Sequence, residues 1–99
     1  MNRLQIILFI ISLLLVTSCG IKPEADFSYS PSNPNSGQTI QFKNQSSDAK
    51  SFSWNFGDLS IGSDENPTHI YEQPGEYIVE LSASRGLKSD SKTITLVVN

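Results

Sequence analysis

His69 is the only histidine in the chain and Cys19 the only cysteine, so the chemistry open to this sequence is narrow. A zinc site draws on roughly three or four ligands of the His and Cys kind, which one imidazole cannot supply. A hydrolytic triad would need that same imidazole beside a serine and a carboxylate, yet "THIY" offers no nucleophile turn. Asp58, Asp64 and Glu65 fall in one polar stretch and are hard oxygen ligands of the kind calcium takes. Calcium needs roughly six to eight oxygens, however, and the spacing lacks the alternating acids before a glycine that mark an EF-hand loop. Asp58 is expected instead to accept hydrogen bonds from its own turn. No catalytic residue, no metal site and no cofactor is expected.

The aromatic residues are the next candidates. In "SFSWNFGD", residues 51–58, Phe52, Trp54 and Phe56 alternate with Ser51, Ser53 and Asn55. On an extended chain the three rings share one side, where they form either a stacking wall for a ligand or part of a core. A short chain with no cysteine pair must draw its stability from an efficiently packed core, which favours the core. Short alternating segments separated by Ser, Asn, Pro and Gly surround this stretch, the pattern of a sandwich or barrel. Strands are expected around "ADFSYS", "TIQFKN", "SFSWNF", "THIY", "EYIVELSASR" and "KTITLVV", with one more short strand inside "GDLSIGSDENP" and "GLKS" as the turn before the last. The fold class is therefore all-β, an immunoglobulin-like sandwich of about seven antiparallel strands. Phe42, Trp54, Tyr77, Val79, Leu81 and Ile94 form the expected core. Tyr77, two residues before Val79, has the placing of a tyrosine corner.

The chain begins with Arg3 and an apolar run from Ile6 to Val16 broken only by Ser12. That run falls short of the roughly 20 residues needed to cross a bilayer and matches a secretory signal peptide. Val16-Thr17-Ser18-Cys19 resembles the lipobox of bacterial lipoproteins. The resemblance implies cleavage before Cys19 and attachment of diacylglycerol to its sulfur, with residues 1–18 as signal peptide and 19–23 as a lipidated tether. The residue after Cys19 is Gly20 rather than the aspartate that resembles an inner-membrane retention signal. The expected location is thus the cell envelope, facing the extracytoplasmic side and on the outer membrane where the cell has one. Loss of Arg3, the only charge in the signal peptide, takes the net charge from −3 to −4. An acidic domain is not a nucleic-acid binder, because phosphates demand a basic face, and its net charge gives no polybasic grip on anionic lipid.

Trp54, Phe56, Gly57 and Asp58, followed by Pro67, His69, Tyr71, Pro74, Gly75, Tyr77 and Val79, resemble the PKD domain, the polycystic-kidney-disease repeat. The likeness covers residues 24–98. It implies a structural role for His69 and an extracytoplasmic module for protein or carbohydrate contact that is not an enzyme. The alternative is a structural accessory or spacer in a cell-envelope assembly. Two positions depart from the family pattern, Asn55 for an aspartate and Leu59 for a glycine. Because leucine resists a positive φ, the turn after Asp58 is expected to be built differently. The expected contact surface is the loop carrying Asp58, Asp64 and Glu65, since rigid sandwiches display recognition on loops.

Overall fold

The computed structural model describes residues 20–99; the segment 1–18 expected to be a signal peptide, and Cys19, lie outside the described residues. The described residues form seven strands: β1 (Phe27–Ser30), β2 (Thr39–Asn44), β3 (Ser51–Asn55), β4 (Ile61–Gly62), β5 (Thr68–Ile70), β6 (Gly75–Arg85) and β7 (Lys88–Val98). They form a three-stranded sheet in the order β1-β2-β5 and a four-stranded sheet in the order β4-β3-β6-β7, with every pairing antiparallel. This is the all-β sandwich that the alternating segments predict.

Alternation along each strand divides the two faces. On β2, Ile40 and Phe42 are buried while Gln41 and Lys43 face water. On β6, Val79, Leu81 and Ala83 point inward between exposed or half-buried neighbours. The core joins Phe27, Ile40, Phe42, Trp54, Phe56, Tyr71, Val79, Leu81, Leu96 and Val98. Trp54 sits at its centre, within 5.0 Å of Phe27 and 5.5 Å of Phe42 between ring centroids. Of the rings of residues 51–58, Trp54 and Phe56 belong to the core and Phe52 packs half-buried against it, so they do not form a ligand wall.

Tyr77 and Ile94, expected in the core, pack against it only partly buried. The Tyr77 hydroxyl reaches outward to donate to the Gln73 carbonyl at 2.7 Å, the bond that defines a tyrosine corner. Ile94 lies on β7, the edge of a four-stranded sheet facing one of only three strands, so its cover is incomplete.

The last strand starts four residues earlier than its alternation implies. β6 and β7 pair from Gly75↔Val98 to Arg85↔Lys88, and only Gly86 and Leu87 form the turn. Gly86 has φ 61°, the conformation that a two-residue hairpin asks of its first central residue. Residues 88–93 are exposed on both faces, so no hydrophobic period marks them as strand; long-range pairing with β6 does.

The segment read as a tether is partly docked. Pro23 and Ala25 are buried, the Ala25 amide donates to Asp90 at 2.7 Å, and Lys88 donates to the Ile21 carbonyl at 3.1 Å. An isolated bridge joins Glu24 to Ser47.

Candidate functional site

The residues singled out in the sequence converge where β3 leaves the four-stranded sheet. Trp54 and Phe56 lie nearly parallel with centroids 6.1 Å apart. Phe56 stacks on the His69 imidazole at 4.2 Å, and Tyr71 meets that imidazole edge-on at 4.7 Å. Tyr71 in turn lies 4.2 Å from Tyr77. One column of rings therefore runs from the core out to the tyrosine corner.

Hydrogen bonds clamp the turn around this column. The Trp54 indole N–H donates to the Asp64 carbonyl at 2.8 Å, tying the β4–β5 loop to the core. The buried Tyr71 hydroxyl donates to the Phe56 carbonyl at 2.7 Å. Burial pushes that phenol well above the ordinary tyrosine range, with the Asp58 and Tyr77 charges adding to the effect. The Gly57 amide donates to Asn55 Oδ1 at 3.0 Å. An amide side chain thus supplies the oxygen an aspartate would offer, which is why Asn55 is tolerated.

Asp58 uses both carboxylate oxygens. Oδ1 accepts from the Ser60 amide at 3.1 Å, and Oδ2 lies 2.7 Å from His69 Nε2. The two side chains are only 23% and 15% exposed, respectively. Burial by itself raises the Asp58 carboxyl, but hydrogen bonds from His69 and Ser60 and the imidazole charge outweigh it and hold the group below its usual value. A depressed folded-state pKa stabilises the fold above the unfolded value and loses that contribution as pH falls through the folded one. Urea midpoints of the wild type should therefore drop below roughly pH 4, and an Asp58→Asn variant should show a weaker decline over the same range. Equal slopes would mean that Asp58 does not carry the acid sensitivity.

Gly57 is the pivot of the site. With φ +82°, it lies so close to β6 that a Cβ would stand 2.5 Å from the Ile78 carbonyl oxygen. Its neighbour Leu59 corrects the sequence expectation: φ is 75°, so the turn keeps the left-handed residue a glycine would provide. The Asp58 carboxylate bonded to Ser60, and the Phe56 amide bonded to the Ser60 carbonyl at 3.1 Å, hold the backbone in place around the leucine. The Leu59 side chain is fully exposed and makes no packing gain to offset a strain of about 1–2 kcal/mol. Leu59→Gly should accordingly raise stability by about 0.5–1 kcal/mol after the added unfolded-state entropy, measured as a shift in urea midpoint at constant slope.

The expected contact loop is divided. Asp58 turns inward to His69, whereas Asp64 and Glu65 are exposed, together with Leu59 and Ile61. Gly75 opens β6 at φ 151°, where a Cβ would meet the Tyr77 ring at an ordinary 3.9 Å. No group of three or more metal-ligating side chains occurs among the described residues. Ser60 is the member of the site that sequence reasoning missed; its neighbour Asp58 in a turn was the available signal.

Two packed antiparallel sheets, a buried tryptophan and a tyrosine corner define an immunoglobulin-like β-sandwich. The chain belongs to the PKD domain family, whose model matches residues 21–99. Collagenase ColA of Bacillus cereus is 40% identical over 63 residues, which cover 57% of this chain but 7% of the collagenase. The PKD1 domain of the Vibrio cholerae metalloprotease PrtV superimposes with a TM-score of 0.67 at 27% identity, covering 80% of this chain and 99% of that one. A structure described in connection with the promiscuous specificity of carbohydrate-binding modules of the β-sandwich superfamily has a TM-score of 0.76 at 30% identity, covering 80% of this chain and 35% of that chain.

Proposed function

We propose that this protein is a lipoprotein, acylated on Cys19, whose PKD domain acts as a non-catalytic module for protein or carbohydrate contact on the extracytoplasmic side of the cell envelope. The observation that carries the reading is how the site uses its polar groups. His69, Asp58, Tyr71 and the Trp54 indole are all bonded within the fold, which leaves no nucleophile and base aimed at a common point. What faces water on the same loop is Leu59, Ile61, Asp64 and Glu65, a mixed apolar and acidic tip of the kind that makes contacts. The likeness to carbohydrate-binding modules and to a segment of a collagenase supports a binding role.

Cys19→Ala should move the protein out of the membrane fraction and abolish its labelling by a fatty-acid analogue. A variant that still needs detergent for extraction would refute the anchor. For the contact role, the full-length protein is applied to a glycan array and crosslinked on intact cells, with a Leu59→Ser, Asp64→Ala, Glu65→Ala variant alongside. Binding or a crosslinked partner lost only in the variant supports the loop; turnover of a glycan or peptide that disappears in Asp58→Ala while the fold persists would make the protein an enzyme.

A further inference from the structure

We infer that the β6–β7 hairpin end of the domain rests on the phospholipid surface, with Leu87 at the interface and the acidic loops directed away from it. This rests on the lipid anchor proposed above. Ile21 is already docked, its carbonyl accepting from Lys88, and Pro23 and Ala25 are buried. Only Gly20 separates Ile21 from Cys19, and two residues span at most about 7 Å. A lipid chain on Cys19 therefore holds this end of the sandwich against the membrane, with no slack for the domain to stand off.

Leu87 is fully exposed at the hairpin tip and Ile21 is 42% exposed. With Arg85 and Lys88 they line one shallow hollow of about 480 Å³. Lys22 follows Ile21 in the chain, and Lys50 sits beside the hairpin, its amide bonded to the Ser84 carbonyl at 2.8 Å. An apolar tip ringed by Lys and Arg is the composition that settles at a headgroup boundary.

Residues 51–84 contain no Lys or Arg, but carry Asp58, Asp64, Glu65, Glu72, Glu76 and Glu80. The six Lys and Arg side chains of the described chain lie outside that segment: Lys22, Lys50, Arg85 and Lys88 gather at the hairpin end, Lys92 is bonded to Asp26, and Lys43 lies on β2 beside Asn66. Of the acids on the hairpin side, Asp90 is bonded to the Ala25 amide and Asp26 to Lys92 at 2.7 Å, leaving Glu24 and Asp48. A net charge that looks unfavourable for anionic lipid thus hides a segregation that favours one orientation. Each basic side chain near an anionic surface shifts the docked ratio about fivefold.

The test uses the full-length protein purified from membranes, with intact mass reporting acylation at Cys19. Leu87→Cys and, separately, Leu59→Cys carry a nitrobenzoxadiazole probe, the Cys19 sulfur being blocked by lipid. In phosphatidylethanolamine–phosphatidylglycerol vesicles, emission from position 87 should shift to the blue and its quenching by iodide should fall several-fold. Position 59 should behave as it does in detergent-free water. Adding Lys22→Glu and Arg85→Glu should return the position-87 probe towards water. If the protein is acylated and the two probes are quenched alike, whether both exposed or both shielded, the docking is refuted while the anchor stands. If the mass shows no acyl chain and the protein does not float with vesicles, the anchor fails and the docking falls with it.

Discussion

Trp54→Ala is expected to leave the domain largely unfolded at room temperature. The indole is completely buried and touches Phe27, Phe42 and Phe56 at centroid distances of 5.0, 5.5 and 6.1 Å. Truncating a buried tryptophan costs about 3–5 kcal/mol. The Asp64 carbonyl also loses its donor, worth about 1 kcal/mol. A domain of this size holds only about 4–12 kcal/mol in total, so the loss consumes most of its stability. Trp54→Phe keeps much of the volume, loses the indole donor and should stay folded with a lowered urea midpoint. Wild-type fluorescence should resist iodide, because no part of the ring meets solvent. Strong quenching together with an unchanged midpoint in the alanine variant would contradict the packing described here and place the ring on a binding surface.

Gly57→Ala is expected to be more damaging than the same change at Gly37, Gly62, Gly75 or Gly86. Its positive φ costs an L-residue about 1–2 kcal/mol, and the new Cβ at 2.5 Å from the Ile78 carbonyl meets backbone that cannot rotate aside. Relief requires the turn to move off β6, dragging Phe56 and Asp58 with it. A total loss of roughly 3 kcal/mol or more is expected, at the high end for one substitution. Gly37 provides the control, since it has φ +79° with nothing within 4 Å of the site a Cβ would occupy. Gly37→Ala should lose only the conformational contribution, about 1–2 kcal/mol. Equal midpoints for the two variants would mean that the approach to Ile78 is not a real constraint.

Trp54→Ala and Gly57→Ala both act on the column of rings and the turn that carries Asp58. The β6–β7 hairpin and the Gly57 turn lie towards opposite ends of β6, because Arg85 closes the hairpin while the Ile78 backbone lies against Gly57.

The sandwich and four of the ten core residues, Phe42, Trp54, Val79 and Leu81, were named from the alternation of residues, because one buried face imposes a period of two on any strand. Trp54, Val79 and Leu81 fall inward for that reason, and Tyr77 reaches Gln73 because the corner is a local device spanning four residues. The start of β7 at Lys88 was not legible: its first half is polar on both faces and is strand only because β6 lies alongside. Nor was the backbone of Leu59. Its propensity argues against a positive φ, yet the Asp58, Ser60 and Phe56 hydrogen bonds impose one. The docking of residues 21–25 depends on Asp90 and Lys88, more than sixty residues away in the chain. Local pattern encodes which face of a segment is buried. Which segments become neighbours, and so where a charge, a strained turn or the segment 21–25 is placed, is a property of the assembled sheets, because those contacts exist only once distant strands have paired.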